Sequence, residues 1–192
     1  MKLTYPVSSI LGNVAVARAE SIGVPMVIAF TNDNADLIYF GRMEGSLPAS
    51  GDIAIQKAYT SAALRISTQA IGTMAQPGEA LYGIQHSMSN KVVLFGGGLP
   101  LFDGNRVLGG VGISGGTVEE DIAVAEAVRD VLDQMVQLHR QLAPFLPDTV
   151  KNAKLARQFC QSLVSALEQS GQDHIAEWID ALAGAVLMAA EK

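Results

Sequence analysis

Lys57 and Thr60 lie three positions apart in Ile53-Ala-Ile-Gln-Lys-Ala-Tyr-Thr60, a spacing that puts both on one side of a helix. Arg42 stands on the segment before it, and Gly97, Gly98 and Pro100 belong to a later glycine turn. Brought together, these residues would form a cationic, hydroxyl-bearing recess suited to a carboxylate. A salt bridge from Lys57 to Glu44 or Asp121 accounts for the lysine equally well, because an ammonium on an apolar helix must find a partner once buried. From the residues alone both readings stand.

His86 lies in an irregular stretch with Met88 beside it. An imidazole and a thioether are soft donors that suit an iron centre, although one histidine is not a metal site by itself. The alternative is an ordinary loop histidine. His139 and His174 fall near the ends of predicted helices, where a surface or dipole role is the simpler use.

Ser114 sits in Gly112-Ile-Ser-Gly-Gly116, which has the form G-x-S-x-G of a nucleophile elbow. Asp121 and His139 follow in the right order, but they are about 18 residues apart on one predicted helix, hence ~27 Å, too far to join one triad. The overlapping Gly110-Val-Gly-Ile-Ser-Gly115 has the form G-x-G-x-x-G. No further strand follows to carry the acidic residue of a dinucleotide fold, so that reading fails. The glycines are better explained by a tight strand-to-helix passage beside packed backbone. An anion at the N–H groups of Gly115 to Thr117 would meet Glu119, Glu120 and Asp121, so that helix start is read as structural.

The elements that position these residues follow from periodicity and turn chemistry. Pro6 opens a helix with Val7, Ile10, Leu11, Val14 and Ala17 at helical spacing. This spacing, and the interruption of the apolar stretch by Pro6, Ser8, Ser9 and Asn13, argue for a helix rather than a secretory leader. Pro25 to Thr31 and Leu37 to Phe40 read as a hairpin around Asn32-Asp-Asn-Ala-Asp36. A helical pattern runs from Asp52 to the break at Pro77-Gly78, and Lys91 to Phe95 reads as a strand. Asp103-Gly-Asn105 is a hairpin turn, and Thr117 with Glu120 forms a capping box for a helix to about His139. Together these predict an α+β domain with a largely antiparallel sheet of about five strands. From Pro144 the chain reads as a helical hairpin, with Leu155, Phe159 and Leu163 on one stripe and Ile175, Trp178 and Leu182 on the other.

The chain has 192 residues and a formal charge of −6, is 49% hydrophobic and 17% charged, and contains one cysteine, Cys160. That composition excludes a disordered chain, and the acidic balance argues against nucleic acid. One cysteine excludes an internal disulfide and a cysteine-based metal site. No apolar run is long enough for a bilayer, so the sequence reads as a soluble, cytoplasmic protein.

Four segments together resemble the GlcG/HbpS family, which includes the PduO C-terminal domain: Gly41-Arg-Met-Glu-Gly45, Ile53 to Thr60, Phe95-Gly-Gly-Gly-Leu-Pro-Leu101 and Gly109 to Asp121. They occur in the family's order across roughly residues 3 to 140. The resemblance implies a profilin-like domain with an antiparallel five-stranded sheet over residues 1–142, and the helical extension over 143–192 is not part of the family's common pattern. It also implies homo-oligomers and a role beside glycolate, propanediol or haem-related pathways, with haem as the candidate cofactor. Some relatives bind haem through a histidine on the first helix, whereas this sequence has none before His86. Three functions follow as expectations. The first is a small-ligand-binding accessory protein, with haem or another tetrapyrrole as ligand. The second is an enzyme using Lys57, Arg42 and Ser114 on a small carboxylated or hydroxylated metabolite. The third is a structural protein acting through its helical tail.

Overall fold

The computed structural model describes residues 1–142. In chain order its main elements are α1 (Tyr5–Ile22), β1 (Val27–Asn32), β2 (Leu37–Arg42), α2 (Ser50–Leu64), α3 (Thr68–Met74), β3 (Gly98–Asp103), β4 (Arg106–Ser114) and α4 (Val118–Leu142). The four strands form one antiparallel sheet in the order β2-β1-β4-β3. The fold is α+β, as expected. The sheet lies within the first of the chain's two units, Met1–Val136; the second begins at Gln137, inside α4. The proposed helical hairpin, with Cys160, His174 and Trp178, lies outside the described residues.

The sheet register sorts side chains onto two faces, since residues directly opposite each other share a face. Val27, Ala29 and Thr31 stand opposite Ser114, Gly112 and Gly110. This face receives α2: Val27 and Ala29 cluster with Ala54 and Ala58, and the Thr31 hydroxyl donates to the Ala58 carbonyl at 3.3 Å. The seat is so close that a Cβ on Gly112 would lie 2.0 Å from the Ala54 carbonyl oxygen, and one on Gly110 2.4 Å from that of Ala58. The glycines of β4 therefore exist to let a helix backbone rest on the sheet.

The opposite face carries Ile28 and Phe30, both fully buried. Phe30 meets Tyr39 edge-on with ring centroids 5.7 Å apart, and Tyr39 in turn lies over Gly12 of α1. Within α1 the buried stripe is Val7, Leu11, Ala15 and Ala19, turned slightly from the predicted one, so that Ala17 faces solvent. Gly23, at φ 73°, closes the helix by donating to the Ala19 and Glu20 carbonyls.

Several local expectations hold. Asn32 Oδ1 accepts from the N–H groups of Asn34 and Asp36, both at 2.9 Å, while Ala35 takes the left-handed conformation, so the first hairpin turns without a glycine. The capping box is reciprocal: Glu120 N–H donates to the Thr117 hydroxyl and Thr117 N–H to the Glu120 carboxylate. Two expectations need correction. The helical pattern after Asp52 is two helices, because Arg65 turns left-handed and Ser67 caps a new start by accepting from Ala70 N–H. Among the described residues the sheet has four strands, where about five were expected. Lys91 to Phe95 joins no strand among the described residues: Lys91 is in a turn, and the backbone of Lys91 and Val93 bonds instead to the Thr60 hydroxyl of α2.

Candidate functional site

α2 projects Lys57 and Thr60 from one side, and the structure shows what each meets. Lys57 is fully buried; its Nζ donates to Asp121 Oδ2 at 2.6 Å and to the Ile113 carbonyl at 2.8 Å. The Phe95 ring covers the same ammonium, with its centroid 4.9 Å away. Asp121, 4% exposed, also accepts from Gly116 N–H through Oδ1 at 3.1 Å. The pair thus joins α2, the end of β4 and the first turn of α4. Burial lowers the Lys57 pKa, opposed by its bond to Asp121, and raises that of Asp121, opposed by Lys57 and the Gly116 and Gly115 N–H groups.

The glycine turn seats directly on this pair. Gly97 has φ 103°, and a Cβ there would lie 2.7 Å from both Lys57 Nζ and Asp121 Cβ. Its carbonyl accepts from Ile113 N–H at 2.9 Å. Gly98 donates to the Thr68 hydroxyl at 2.9 Å and stands opposite Gly112, while Pro100 stands opposite Gly110. Ser114, nearly buried, closes β4 opposite Val27. The structure therefore brings Lys57, Gly97 and Gly98 together next to the end of β4, but as a closed packing centre.

The remaining predicted residues go elsewhere. The Thr60 hydroxyl donates to the Lys91 carbonyl at 3.1 Å and accepts from Val93 N–H at 3.0 Å, so it fastens the irregular segment to α2. Arg42 is exposed at the end of β2 and donates to the Ser46 carbonyl at 2.6 Å. Lys57 and Thr60 engage their polar atoms within the protein, on Asp121, Ile113, Lys91 and Val93, while Arg42 stands exposed at the end of β2. Of the two readings of Lys57, the geometry is that of the ion pair with Asp121. The elbow geometry is absent as well, since Asp121 is engaged by Lys57 and Gly116. Sequence reasoning missed Phe95 and Thr68, which cover and hold this corner; the aromatic directly before three glycines was the available signal for the first.

His86 is exposed on a short 3₁₀ turn, Ile84–His86, where its Nε2 lies 3.4 Å from Gln85 Nε2. The loop around it is tied to the end of α3 by Leu81 N–H donating to the Met74 carbonyl at 3.0 Å. Tyr82, 66% exposed, and Met74, 37% exposed, give this region an open apolar surface. Next come Met88, Ser89 and Asn90, all at positive φ, a strained run of the kind that needs support from its surroundings. Among the described residues no cluster of three or more His, Cys, Asp or Glu could hold a metal ion.

A sheet of this order, with a helix seated on strand glycines and a buried lysine–aspartate pair at its corner, defines an α+β class. The family described as "Haem degrading protein HbpS-like" matches residues 3–130, and the chain belongs to that family. It is 36% identical, over 69% of its length and 94% of the relative's, to an uncharacterised 15.0 kDa protein of the dhaT–dhaS intergenic region of Citrobacter freundii. It is 41% identical to the corrinoid adenosyltransferase PduO of the same organism across 66% of this chain, but spans only 38% of that enzyme. Among solved structures it resembles a PduOC–haem complex, with a TM-score of 0.65 and 35% identity over 68% of this chain and 94% of that one.

Proposed function

We propose that this chain is a non-catalytic or weakly catalytic accessory protein that binds a small ligand, and that the ligand is haem or a related tetrapyrrole. The observation that carries this reading is the similarity to PduOC, solved with haem, along nearly the whole of that chain. The relative beside dhaT and dhaS and the match to PduO support a place beside a catabolic pathway, in the cytoplasm. Adenosyl transfer is not part of the proposal.

Among the described residues the donor proposed for such a group is His86. The first helix has no histidine, so an axial histidine from α1 is not available. His86 presents an exposed imidazole on the same irregular segment as the exposed Tyr82, and a histidine can serve as an axial ligand to haem iron. Lys91 is also exposed, its Nζ 5.2 Å from the Tyr59 ring, and supplies a cation for a propionate. The bound group would supply the iron and its redox and ligand chemistry; His86 would hold it. Lys57, Thr60, Gly97, Gly98 and Ser114 serve as the frame beneath.

Hemin titration followed in the Soret region tests this. A saturable band shift at stoichiometric protein is expected, weakened by about tenfold or more in His86→Ala, as for loss of a direct ligand. No saturable shift would overturn the tetrapyrrole reading, and an unchanged shift in His86→Ala would remove His86 from it.

A further inference from the structure

The irregular segment around His86 hangs between two anchors. Leu81 N–H donates to the Met74 carbonyl at 3.0 Å, and the Thr60 hydroxyl holds the backbone of Lys91 and Val93. Between them Tyr82 to Asn90 are all exposed or half-buried. Their backbone N–H groups donate to carbonyls three positions back: Tyr82 to Glu79, Ile84 to Leu81, His86 to Gly83, Ser87 to Ile84 and Asn90 to Ser87. Such bonds shape turns without fastening the segment to the sheet or to a long helix.

Two costs are built into this conformation. Met88, Ser89 and Asn90 follow one another at φ 49°, 58° and 58°. Residues with a Cβ visit the left-handed region singly, asparagine most readily, so methionine and serine carry the full steric penalty there. Gln85 adds the second cost. Its Oε1 is buried with no hydrogen-bond partner, while its Nε2 lies 3.4 Å from His86 Nε2. Strained backbone persists only where the surroundings enforce it, and bonds between near neighbours enforce little.

We infer that Tyr82 to Asn90 is a strained catch with a held and a released form, and that a ligand taking His86 Nε2 selects the released one. The inference rests on the tetrapyrrole reading and adds to it the moving part of the site. In the held form the Gln85 amide stands against Nε2. An iron that engages this nitrogen displaces the amide, and Met88 to Asn90 then pass to the right-handed or extended regions their side chains prefer. A ligand shifts an equilibrium only by its differential affinity for the two forms, and here the difference is access to Nε2. Apparent affinity is accordingly reduced by the fraction of chains in the held form.

Ser89 tunes this balance from a position outside the His86–Gln85 contact. Glycine has no left-handed penalty, so Ser89→Gly favours the held form. Valine, β-branched, carries a larger one, so Ser89→Val favours the released form. Hemin titration in the Soret region and melting of the hemin-free chain are read together. Ser89→Gly is expected to melt higher and bind hemin about fivefold more weakly, and Ser89→Val to melt lower and bind about fivefold more tightly. Circular dichroism establishes folding, and Asn90→Gly, expected to behave as Ser89→Gly, keeps the test open if the valine variant does not fold. Equal hemin affinity in all chains, or affinity that rises with melting temperature, would overturn the catch alone. Absence of a Soret shift in every chain, the original included, would overturn the tetrapyrrole reading and the catch with it.

Discussion

At the residue scale the decisive fact is where the Lys57 ammonium ends. A buried charge is tolerated only when its partners replace the lost water, and here a carboxylate, a carbonyl and an aromatic face do so. Removing one member leaves the other charged and uncompensated. Lys57→Ala is therefore expected to lower stability by about 3–5 kcal/mol in urea unfolding, whereas replacing both Lys57 and Asp121 by apolar residues should cost much less. Stability against pH reports the same pair. Asp121 titrates above its ordinary 3.8, so between that value and its raised one the folded chain holds more protons, and its contribution falls as pH rises. Lys57 titrates below its ordinary 10.5, so between its lowered value and 10.5 the unfolded chain holds more protons, and stability rises with pH. The difference between the original chain and the double apolar variant should show a falling acid arm and a rising alkaline arm. Arms of the opposite sign would mean that attraction within the pair outweighs its burial.

At the element scale, the contact between α2 and β4 sets the architecture. Gly110 and Gly112 occupy positions where any side chain would strike helix backbone, and backbone cannot rotate aside as a side-chain tip can. Gly112→Ala is expected to cost at least the 1–3 kcal/mol typical of an overpacked core, read as a lower urea midpoint. An unchanged midpoint would mean that α2 shifts freely on the sheet. The same glycines show why local motifs mislead. G-x-G-x-x-G and G-x-S-x-G were both present, and each proved to be room for a helix. Helix starts, hairpin turns and the capping box could be read from sequence because each depends on residues within a few positions. The segment Lys91 to Phe95 could not: its β-prone residues are bound by Thr60, more than thirty positions away.

At the scale of the whole molecule, the proposed ligand binding couples to folding. A ligand held only by the folded chain stabilises it by mass action, about 2.7 kcal/mol at a free concentration a hundred times its Kd. Saturating hemin should accordingly raise the melting temperature of the chain, and less so for His86→Ala. The four ordered segments made the family legible before any coordinates, since family resemblance resides in the order of residues along the chain.

By itself the sequence determined the α+β class, the two hairpins, the last helix with its cap, and the candidate residues, because periodicity and turn chemistry are local. It could not choose between an anion recess and an ion pair for Lys57. That choice depended on where Asp121, sixty-four positions away, and the backbone of Gly97 came to lie. Only the folded chain decided it, since burial is a property of neighbours distant in sequence, and burial is what turns a charged side chain from a binding group into a structural one.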